Sequence, residues 1–309
     1  MAKRVKSIGL LKALQLSAEL KRSYVRPKTA QEYKNHLERF EIYLKSKKLD
    51  KMKLEDFDKN QAIFYLDDVL VNRKVLTMTR NNYMRVMKAL FGTLVEREYI
   101  LINPFAGIPR LKETKKKRRT FSKEEKQVII KYVKSKDKRL FLAICLCYYC
   151  AIRPVELRRL KLSNIDLKSG LIQMDGSQTK NKECATITIP KVLVAVLESL
   201  ELSDYPKDYY LFGANNLEPN IKPSGRDTIS KRHQAALKEL ERYGFLSDME
   251  NKTFYSWKDT SAKDLIEQGL NILDLKQHFR HKEISTTQKY IEMHTGLNIK
   301  IRDIDLGLW

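Results

Sequence analysis

The spacing of apolar residues divides the chain into a first part that is helical throughout and a later part that contains one β-hairpin. Before residue 110, apolar side chains recur at three- and four-residue intervals in three segments, Thr29–Ser46, Asn60–Val71 and Thr79–Arg97. Such spacing predicts amphipathic helices, and this part of the sequence has no strand-like alternation. We therefore expect residues 20–107 to form a compact helical domain, preceded by a helical leader over residues 1–19.

The later part, residues 122–309, combines helices with two strands. Ser122-Lys-Glu-Glu125 has the pattern of a capping box and predicts a helix that runs to about Ser135. A hairpin of β-branched strands is expected at Gly170–Met174 and Ala185–Pro190. Further helices are predicted at Lys191–Leu200, Ser230–Tyr243, Thr260–Gln268 and Leu273–His278. The expected fold class is mainly α with a small β-hairpin.

Positive charge is concentrated in the first part of the chain. The 309 residues carry 60 Lys and Arg against 38 Asp and Glu, a net charge of +22. Residues 1–119 hold 29 basic and 13 acidic side chains, whereas residues 120–309 hold 31 and 25. A field of this sign favours a polyanion, so nucleic acid is the leading class of partner. A basic protein without such a partner is the alternative.

Five consecutive basic residues lie between the two parts of the chain. They are Lys115, Lys116, Lys117, Arg118 and Arg119. A run of this kind cannot pack into a core, so we expect a linker over residues 108–121. A basic linker in this position is suited to lie along a phosphate backbone, and a solvated tether is the alternative.

Neither a membrane span nor a metal site is predicted. The longest apolar run, Leu140–Ile152, is shorter than the roughly 20 residues that cross a bilayer, and it predicts a buried helix. The basic N-terminus lacks the cleavage pattern of a signal peptide. Cys145, Cys147 and Cys150 lie in the apolar run at spacings that suit zinc poorly, with Cys184 apart from them. We expect buried reduced thiols, as in a cytoplasmic protein.

Five separated side chains have the order that a phosphodiester-attacking tyrosine and its partners need. They are Arg153, Lys180, Lys258, His281 and Tyr290. Phosphoryl transfer without a metal needs cations around the non-bridging oxygens and a proton donor for the leaving oxygen. Ser285 and Gln288 form an S-x-x-Q pattern, which predicts a short helix with Tyr290 on its second turn.

Arg153 directly follows the predicted buried helix. Pro154 suits the first turn of a new helix, so Arg153 is expected at a helix start, where a phosphate also meets free backbone N–H groups. Its guanidinium is able to bind two phosphate oxygens at once. Glu156, three residues on, is able to orient Arg153 or a neighbouring base. Ordinary surface charges are the alternative for both residues.

Lys180, Lys258 and His281 supply further groups that suit a phosphate. Lys180 is predicted at the hairpin tip, where its ammonium is able to protonate a leaving oxygen, and Lys182 competes for that role. Lys258 follows Trp257, and we expect it to project from the edge of that core residue. The imidazole of His281 is able to hydrogen-bond a phosphate or transfer a proton near neutral pH.

These residues resemble the motifs of the tyrosine recombinase (integrase) family of site-specific DNA recombinases, in particular integrases of bacterial mobile elements. The resemblance covers most of the chain from about residue 20, and Asn103-Pro104 is similar to the usual end of the family's N-terminal domain. The matching motifs are Ala151–Leu160, Thr179-Lys-Asn-Lys-Glu183, Glu267-Gln-Gly269 with Phe279-Arg-His281, and Thr286-Thr-Gln-Lys-Tyr290. Together these motifs are specific, although no single one is.

The chain departs from the family pattern at two places. Many relatives carry H-x-x-R where this chain has Tyr255-Ser-Trp-Lys258, although a mobile-element branch has a similar Trp-Lys version. The resemblance therefore implies Lys258 as the second phosphate cation and Tyr255 as a hydrogen-bonding group in place of the His. A lysine does not reproduce the fork of an arginine. Arg280 stands where Gly is more usual, and we expect it to add a DNA contact.

The resemblance also implies a reaction. Tyr290 attacks the scissile phosphate and forms a 3′-phosphotyrosyl link, which frees a 5′-hydroxyl. Arg153, Lys258 and His281 stabilise the transition state, and Lys180 protonates the leaving oxygen. The 5′-hydroxyl of a partner duplex then attacks the link, so neither a cofactor nor a metal is implied.

The implied architecture has a SAM-like core-binding domain over residues 20–107 and a catalytic domain over residues 122–309. The resemblance implies that four protomers act on double-stranded attachment sites together with a DNA-bending accessory protein. It also implies that the reaction serves integration or excision of a mobile element and takes place in the cytoplasm, at the nucleoid. We expect the tail Leu297–Trp309 to dock on a neighbouring protomer, and packing on its own domain is the alternative. A DNA-binding protein that has lost cleavage and a type IB-like topoisomerase are the alternative functions.

Overall fold

A computed structural model of the protein describes residues 8–113 and 118–292, with side chains up to residue 288. The described residues are mainly helical and include one three-stranded antiparallel sheet, which confirms the predicted fold class. The chain divides into two compact units, Met1–Lys115 and Lys116–Trp309. The finer division into a leader, a core-binding domain, a linker and a catalytic domain stays a prediction.

Within its described residues, the first unit contains four α-helices, α1 (Leu10–Arg22), α2 (Pro27–Ser46), α3 (Lys59–Val71) and α4 (Thr77–Glu96). The start of α2 lies two residues before the predicted start, because the fixed φ of Pro27 suits a first helical turn. Aromatic rings fill the core, and those of Phe40 and Tyr65 meet edge to face at 4.7 Å. The leader helix belongs to the same core, since Ser17 Oγ donates to Leu90 O at 2.7 Å.

The second unit contains eight helices and three strands within the described residues. The helices are α5 (Lys123–Lys136), α6 (Lys138–Tyr149), α7 (Pro154–Leu157), α8 (Lys191–Glu198), α9 (Thr228–Arg242), α10 (Ser256–Glu267), α11 (Ile272–Phe279) and α12 (Ile284–Glu292). The strands are β1 (Ile165–Asp166), β2 (Leu171–Met174) and β3 (Ala185–Thr188). The capping box that begins α5 is confirmed, since Ser122 Oγ accepts the Glu125 N–H at 3.2 Å and a Glu125 carboxylate oxygen accepts the Ser122 N–H at 2.9 Å.

The sheet has the order β1-β2-β3, and both pairs of strands are antiparallel. Ile172 of β2 pairs with Ile165 on one side and with Ile187 on the other. Strands β2 and β3 are the predicted hairpin. Strand β1 was not expected, because two residues are too few to show a period in the sequence.

Helix α6 passes through the core of the second unit. It ends at Tyr149, three residues earlier than predicted, because Ala151 adopts the left-handed region at φ +50°. Cys145, Cys147 and Cys150 are buried free thiols, as expected, whereas Cys184 is exposed beside the hairpin. Burial raises the pKa of each of the three buried thiols to about 12.

Helix α12 begins at Ile284, so Ser285 lies in its first turn and the predicted cap at Ser285 is wrong. The carbonyl of Glu283 accepts the Thr286 N–H at 3.2 Å, and the helix begins two residues earlier than a cap at Ser285 would place it. The backbone of Tyr290 still falls on the second turn of this helix.

Across residues 8–113 and 118–292, none of the helices has both the length and the apolar character that crossing a membrane requires. The predicted tail Leu297–Trp309 lies outside the described residues.

Candidate active site

The candidate site is centred on Glu156, which is 1% exposed on the short helix α7. The backbone N–H of Arg153 donates to Glu156 Oε2 at 3.0 Å, and Arg153 Nη1 donates to Glu156 Oε1 at 3.0 Å. Arg153 is itself only 7% exposed. The two residues therefore form a buried pair and not an exposed surface salt bridge, with Glu156 in contact with the arginine that it was predicted to orient.

Glu156 accepts hydrogen bonds on both carboxylate oxygens from three different segments. Besides Arg153, its donors are the backbone N–H of Lys180 at 3.2 Å and Arg280 Nη2 at 3.2 Å. Burial alone raises the pKa of a carboxyl group, but the Arg153 N–H and the Arg153 and Arg280 guanidiniums outweigh it. The pKa of Glu156 is consequently below its usual value, and the group is a carboxylate at neutral pH.

The hairpin loop reaches the site through its backbone. The Lys180 N–H binds Glu156, and Thr179 Oγ1 donates to Glu183 O at 2.8 Å, which shapes the loop. The side chains of Lys180 and Lys182 are both exposed, and Lys182 has a positive φ of 62°. The geometry brings the backbone of Lys180 to the site.

Lys258 lies behind Arg153 in the protein interior. It is 0% exposed, its Nζ donates to Ala151 O at 2.6 Å, and it lies 4.8 Å from the centre of the Phe279 ring. Burial, followed by the charges of Arg153 and Arg280, holds the pKa of Lys258 well below its usual value. The preceding Trp257 is a core residue, as expected, and is 2% exposed. The amino group of Lys258 therefore reaches the site from the protein interior and not from the surface.

Tyr255 precedes α10 and is half-buried under the guanidinium of Arg118, which lies 4.7 Å from the centre of its ring. Arg118 Nε also donates to Asp259 Oδ2 at 2.7 Å, and Arg119 Nη1 donates to Asp248 Oδ2 at 2.5 Å. Burial raises the pKa of Tyr255. Two of the five linker residues that were predicted to bind DNA are therefore paired with carboxylates of the second unit.

The other three linker residues, Lys115, Lys116 and Lys117, lie outside the described residues. Their expected DNA contacts stay a prediction.

His281 connects the site to α12. Its Nδ1 lies 3.0 Å from Thr287 Oγ1, and Thr287 is 0% exposed. Burial, followed by the charges of Lys258 and Arg153, lowers the pKa of His281 to about 4, so its ring is neutral at pH 7. Tyr290 lies three residues beyond Thr287 on the same helix. The side chain of Tyr290 lies outside the described residues.

A cavity of about 310 Å³ opens beside these groups, and Arg153, Glu156, Arg280, His281 and the hairpin loop line it. The guanidinium of Arg280, for which a DNA contact was expected, donates inward to Ala151 O at 2.9 Å and to Glu156. The site thus combines one carboxylate with several cations and a neutral imidazole. An arrangement of this kind suits an anionic phosphodiester.

Sequence reasoning did not identify three contributors to the site. Asp259 lies four residues after Tyr255, and Thr287 lies six residues after His281. Their closeness in sequence to predicted site residues could have indicated both. The carbonyl of Ala151 had no signal, because its acceptor role depends on a positive φ that an alanine does not indicate.

The fold and the site together define the class of tyrosine site-specific recombinases. The first unit is helical, and the second combines helices with a small sheet. The site residues Arg153, Lys180, Lys258 and His281 precede a helix that carries a tyrosine. The sequence model described as the phage integrase family matches residues 119–295, and the chain belongs to that family.

Relatives in sequence and in structure are similar over most of the chain. The chain is 26% identical to a probable integrase/recombinase of Acholeplasma phage L2, over 81% of this chain and 80% of the relative. It is 24% identical to the tyrosine recombinase XerD of Rickettsia prowazekii, over 85% and 86% of the two chains.

Two solved structures have a similar fold. The integrase of transposon Tn1549 in complex with a circular intermediate DNA has a TM-score of 0.71 at 17% identity, over 90% of this chain and 94% of that one. A lambda integrase dimer bound to a core site has a TM-score of 0.71 at 18% identity, over 92% and 77%.

Proposed function

We propose that this protein cleaves and rejoins DNA at specific sites through a 3′-phosphotyrosine intermediate at Tyr290, during integration or excision of a mobile element. The observation that carries the proposal is the buried Arg153–Glu156 pair, which lines the same cavity as His281, whose ring contacts Thr287 of α12. Membership of the phage integrase family supports it, since strand transfer is the reaction of the class.

In the proposed reaction, the Tyr290 oxygen bonds to phosphorus and the bond from phosphorus to the 5′ oxygen breaks. The neutral ring of His281 suits a group that accepts a hydrogen bond or a proton as the phenol reacts. Lys180 gives a proton to the 5′ oxygen, with Lys182 as the competing donor. Attack by a 5′-hydroxyl of another strand reverses these steps, so the phosphodiester energy is conserved.

Arg153 stabilises the charge that develops on the non-bridging oxygens. Its guanidinium is oriented by Glu156 and is largely out of water, where fixed dipoles and charges act most strongly. A bound phosphate brings negative charge close to Lys258 and raises the pKa of its amine. Lys258 then contributes positive charge from beneath the phosphate, and Tyr255 supplies a hydrogen bond beside it.

The proposed partners are double-stranded attachment sites, four copies of the chain and a DNA-bending accessory protein, in the cytoplasm. The excess of basic residues before residue 120 supports DNA as the partner. Support for the assembly comes from a relative in fold, since lambda integrase has been solved as a tetramer bound to a Holliday junction.

A covalent trapping experiment tests this function. The purified protein is incubated with nicked duplexes made from the ends of the element that carries its gene, and adducts are measured on denaturing gels. We expect an adduct with the wild type, no adduct with Tyr290→Phe, and a normal adduct with Tyr243→Phe, which alters an exposed tyrosine on another surface. An adduct that persists in Tyr290→Phe would assign the nucleophile to another residue.

The same experiment separates the alternative functions. A DNA-binding protein without cleavage activity gives site-specific binding and no adduct. A topoisomerase of type IB relaxes supercoiled DNA that has no attachment site. Sequencing the DNA trapped on the protein identifies the attachment site.

A further inference from the structure

Helix α11 ends in an unusual way at Arg280. This residue has φ 51° and ψ 50°, a left-handed conformation in which glycine is the common residue. Its N–H donates to Gln277 O at 3.0 Å, and the next N–H, that of His281, donates to Lys276 O at 3.0 Å. These two bonds form a Schellman motif, in which a side chain at this position costs conformational free energy. A stabilising contact of the Arg280 side chain is therefore to be expected.

The guanidinium of Arg280 has three acceptors among the residues that the structure describes. Nη1 donates to Cys150 O at 3.2 Å, and Nη2 donates to Ala151 O at 2.9 Å and to Glu156 Oε2 at 3.2 Å. The first two acceptors belong to the turn between α6 and α7, and the third belongs to α7. The side chain of Arg280 is 17% exposed. Its fork is thus directed into the protein and joins the end of α11 to the segment that carries Arg153.

A second set of bonds runs in the opposite direction. Arg153 Nη2 lies 3.4 Å from Arg280 O and 3.5 Å from Phe279 O. Each arginine therefore reaches the backbone of the segment that carries the other, and the Glu156 carboxylate accepts a hydrogen bond from both. His281 and α12 follow Arg280 directly in the chain. These bonds connect the start of the His281–α12 segment to the segment that carries Arg153.

We propose that Arg280 is a positioning residue, which holds the His281–α12 segment in register with Arg153 through Glu156 and the turn carbonyls, and that it does not bind a DNA phosphate. The proposal rests on the proposed strand-transfer function. It replaces the DNA contact that the sequence predicts for Arg280. The three acceptors already engage both terminal nitrogens of the guanidinium.

The test compares cleavage with DNA binding in Arg280→Gly and Arg280→Lys. Glycine suits the left-handed conformation, so Arg280→Gly removes the guanidinium while keeping the turn. We expect a roughly 100-fold lower single-turnover rate of adduct formation, the size of effect that small misplacement of reacting groups produces. Arg280→Lys should rescue little of the rate, because an ammonium does not span the three acceptors. Arg226→Gly, which removes an exposed arginine from another turn, is the matched control and should cleave at the normal rate.

The dependence of DNA affinity on salt separates positioning from phosphate binding. With Arg280→Gly we expect the slope of log K against log salt concentration to equal that of the wild type. A variant that binds one phosphate fewer has a slope shallower by about 0.9. A shallower slope together with rescue by Arg280→Lys would overturn the proposal, because a lysine is able to replace an arginine as a simple phosphate-binding charge.

A double-mutant cycle with Glu156→Gln tests the route of the effect. If Arg280 acts through Glu156, the double variant cleaves about as slowly as the slower single variant, whereas independent effects multiply. Multiplied effects would contradict positioning through Glu156. Wild-type protein that forms no adduct refutes the proposed function itself, whereas an active wild type with an equally active Arg280→Gly variant refutes the role of Arg280 alone. A melting curve confirms that each variant is folded.

Discussion

Replacing Glu156 by Gln should destabilise the second unit strongly, although the side chains have the same shape. The carboxylate accepts from Arg153 N–H, Arg153 Nη1, Lys180 N–H and Arg280 Nη2. The amide of Gln keeps one acceptor oxygen and turns an NH₂ group toward the remaining donors. It also leaves two largely buried guanidiniums without a counter-charge, and Glu156 is only 1% exposed, so water compensates little.

The expected size of this effect follows from that burial. Removing one partner of a buried ion pair costs roughly 3 to 5 kcal/mol, and we expect about 3 kcal/mol because Gln retains one acceptor. With a urea m-value of about 2 kcal/mol per M, the unfolding midpoint should fall by about 1.5 M. Tryptophan fluorescence follows this unit selectively, since Trp257 and Trp309 both belong to residues 116–309.

An exposed pair in the same unit provides the control for Glu156→Gln. Lys263 Nζ lies 3.6 Å from Glu267 Oε1, and the Glu267 side chain is 59% exposed. Glu267→Gln should change the free energy of unfolding by less than about 0.5 kcal/mol, because solvent screens such pairs. A midpoint for Glu156→Gln within the error of the Glu267→Gln midpoint would refute the reasoning, since the carboxylate would then not balance the buried charges.

Three further predictions concern pH, the leaving group and salt. Lowering the pH from 7 to 5 should lower the urea midpoint, because the unfolded state gains protons on histidines that the folded state keeps neutral. Burial is the largest cause for all three rings, and it lowers the pKa to about 3 for His233 and to about 4 for His278 and His281. The neutral histidines therefore stabilise the folded state fully above about pH 6.5, and this contribution is lost as the pH falls toward 4. Equal urea midpoints at pH 7 and pH 5 would contradict the prediction. Lys180→Ala should slow cleavage, and a substrate with a 5′-bridging sulfur should restore much of the rate. Lys182→Ala provides the comparison. Failure of the sulfur substrate to restore the rate of Lys180→Ala excludes Lys180 as the acid. Changing Lys115, Lys116 and Lys117 together to Ala should make the salt dependence of DNA binding shallower by about 0.9 for each phosphate that these lysines neutralise, and an unchanged slope places them away from the DNA.

The helices were largely predictable because apolar periodicity determines them. Helix α3 begins one residue before its predicted start and ends at the predicted residue. Helix α4 begins two residues before its predicted start and ends one residue before its predicted end. Ends were less predictable where one residue adopts an unusual conformation, as Ala151 does after α6. Nothing in the spacing of apolar residues indicates a positive φ at an alanine.

The candidate site was predictable where its contacts are local. Glu156 contacts Arg153 as an i,i+3 neighbour, which the sequence indicates directly. Contacts between distant segments were not predictable, such as that of Arg118 with Asp259 across 141 residues. The burial of Lys258 was also missed, because it depends on the carbonyl of Ala151, 107 residues away.

The position of Cys184 gives the protein a built-in attachment point for a probe. It is the exposed cysteine among the four in the chain, and it lines the cavity beside Arg153. The other three thiols are buried with raised pKa values, so a maleimide dye should label Cys184 first. A fluorophore on that thiol would follow the arrival of DNA at the hairpin without any engineered substitution.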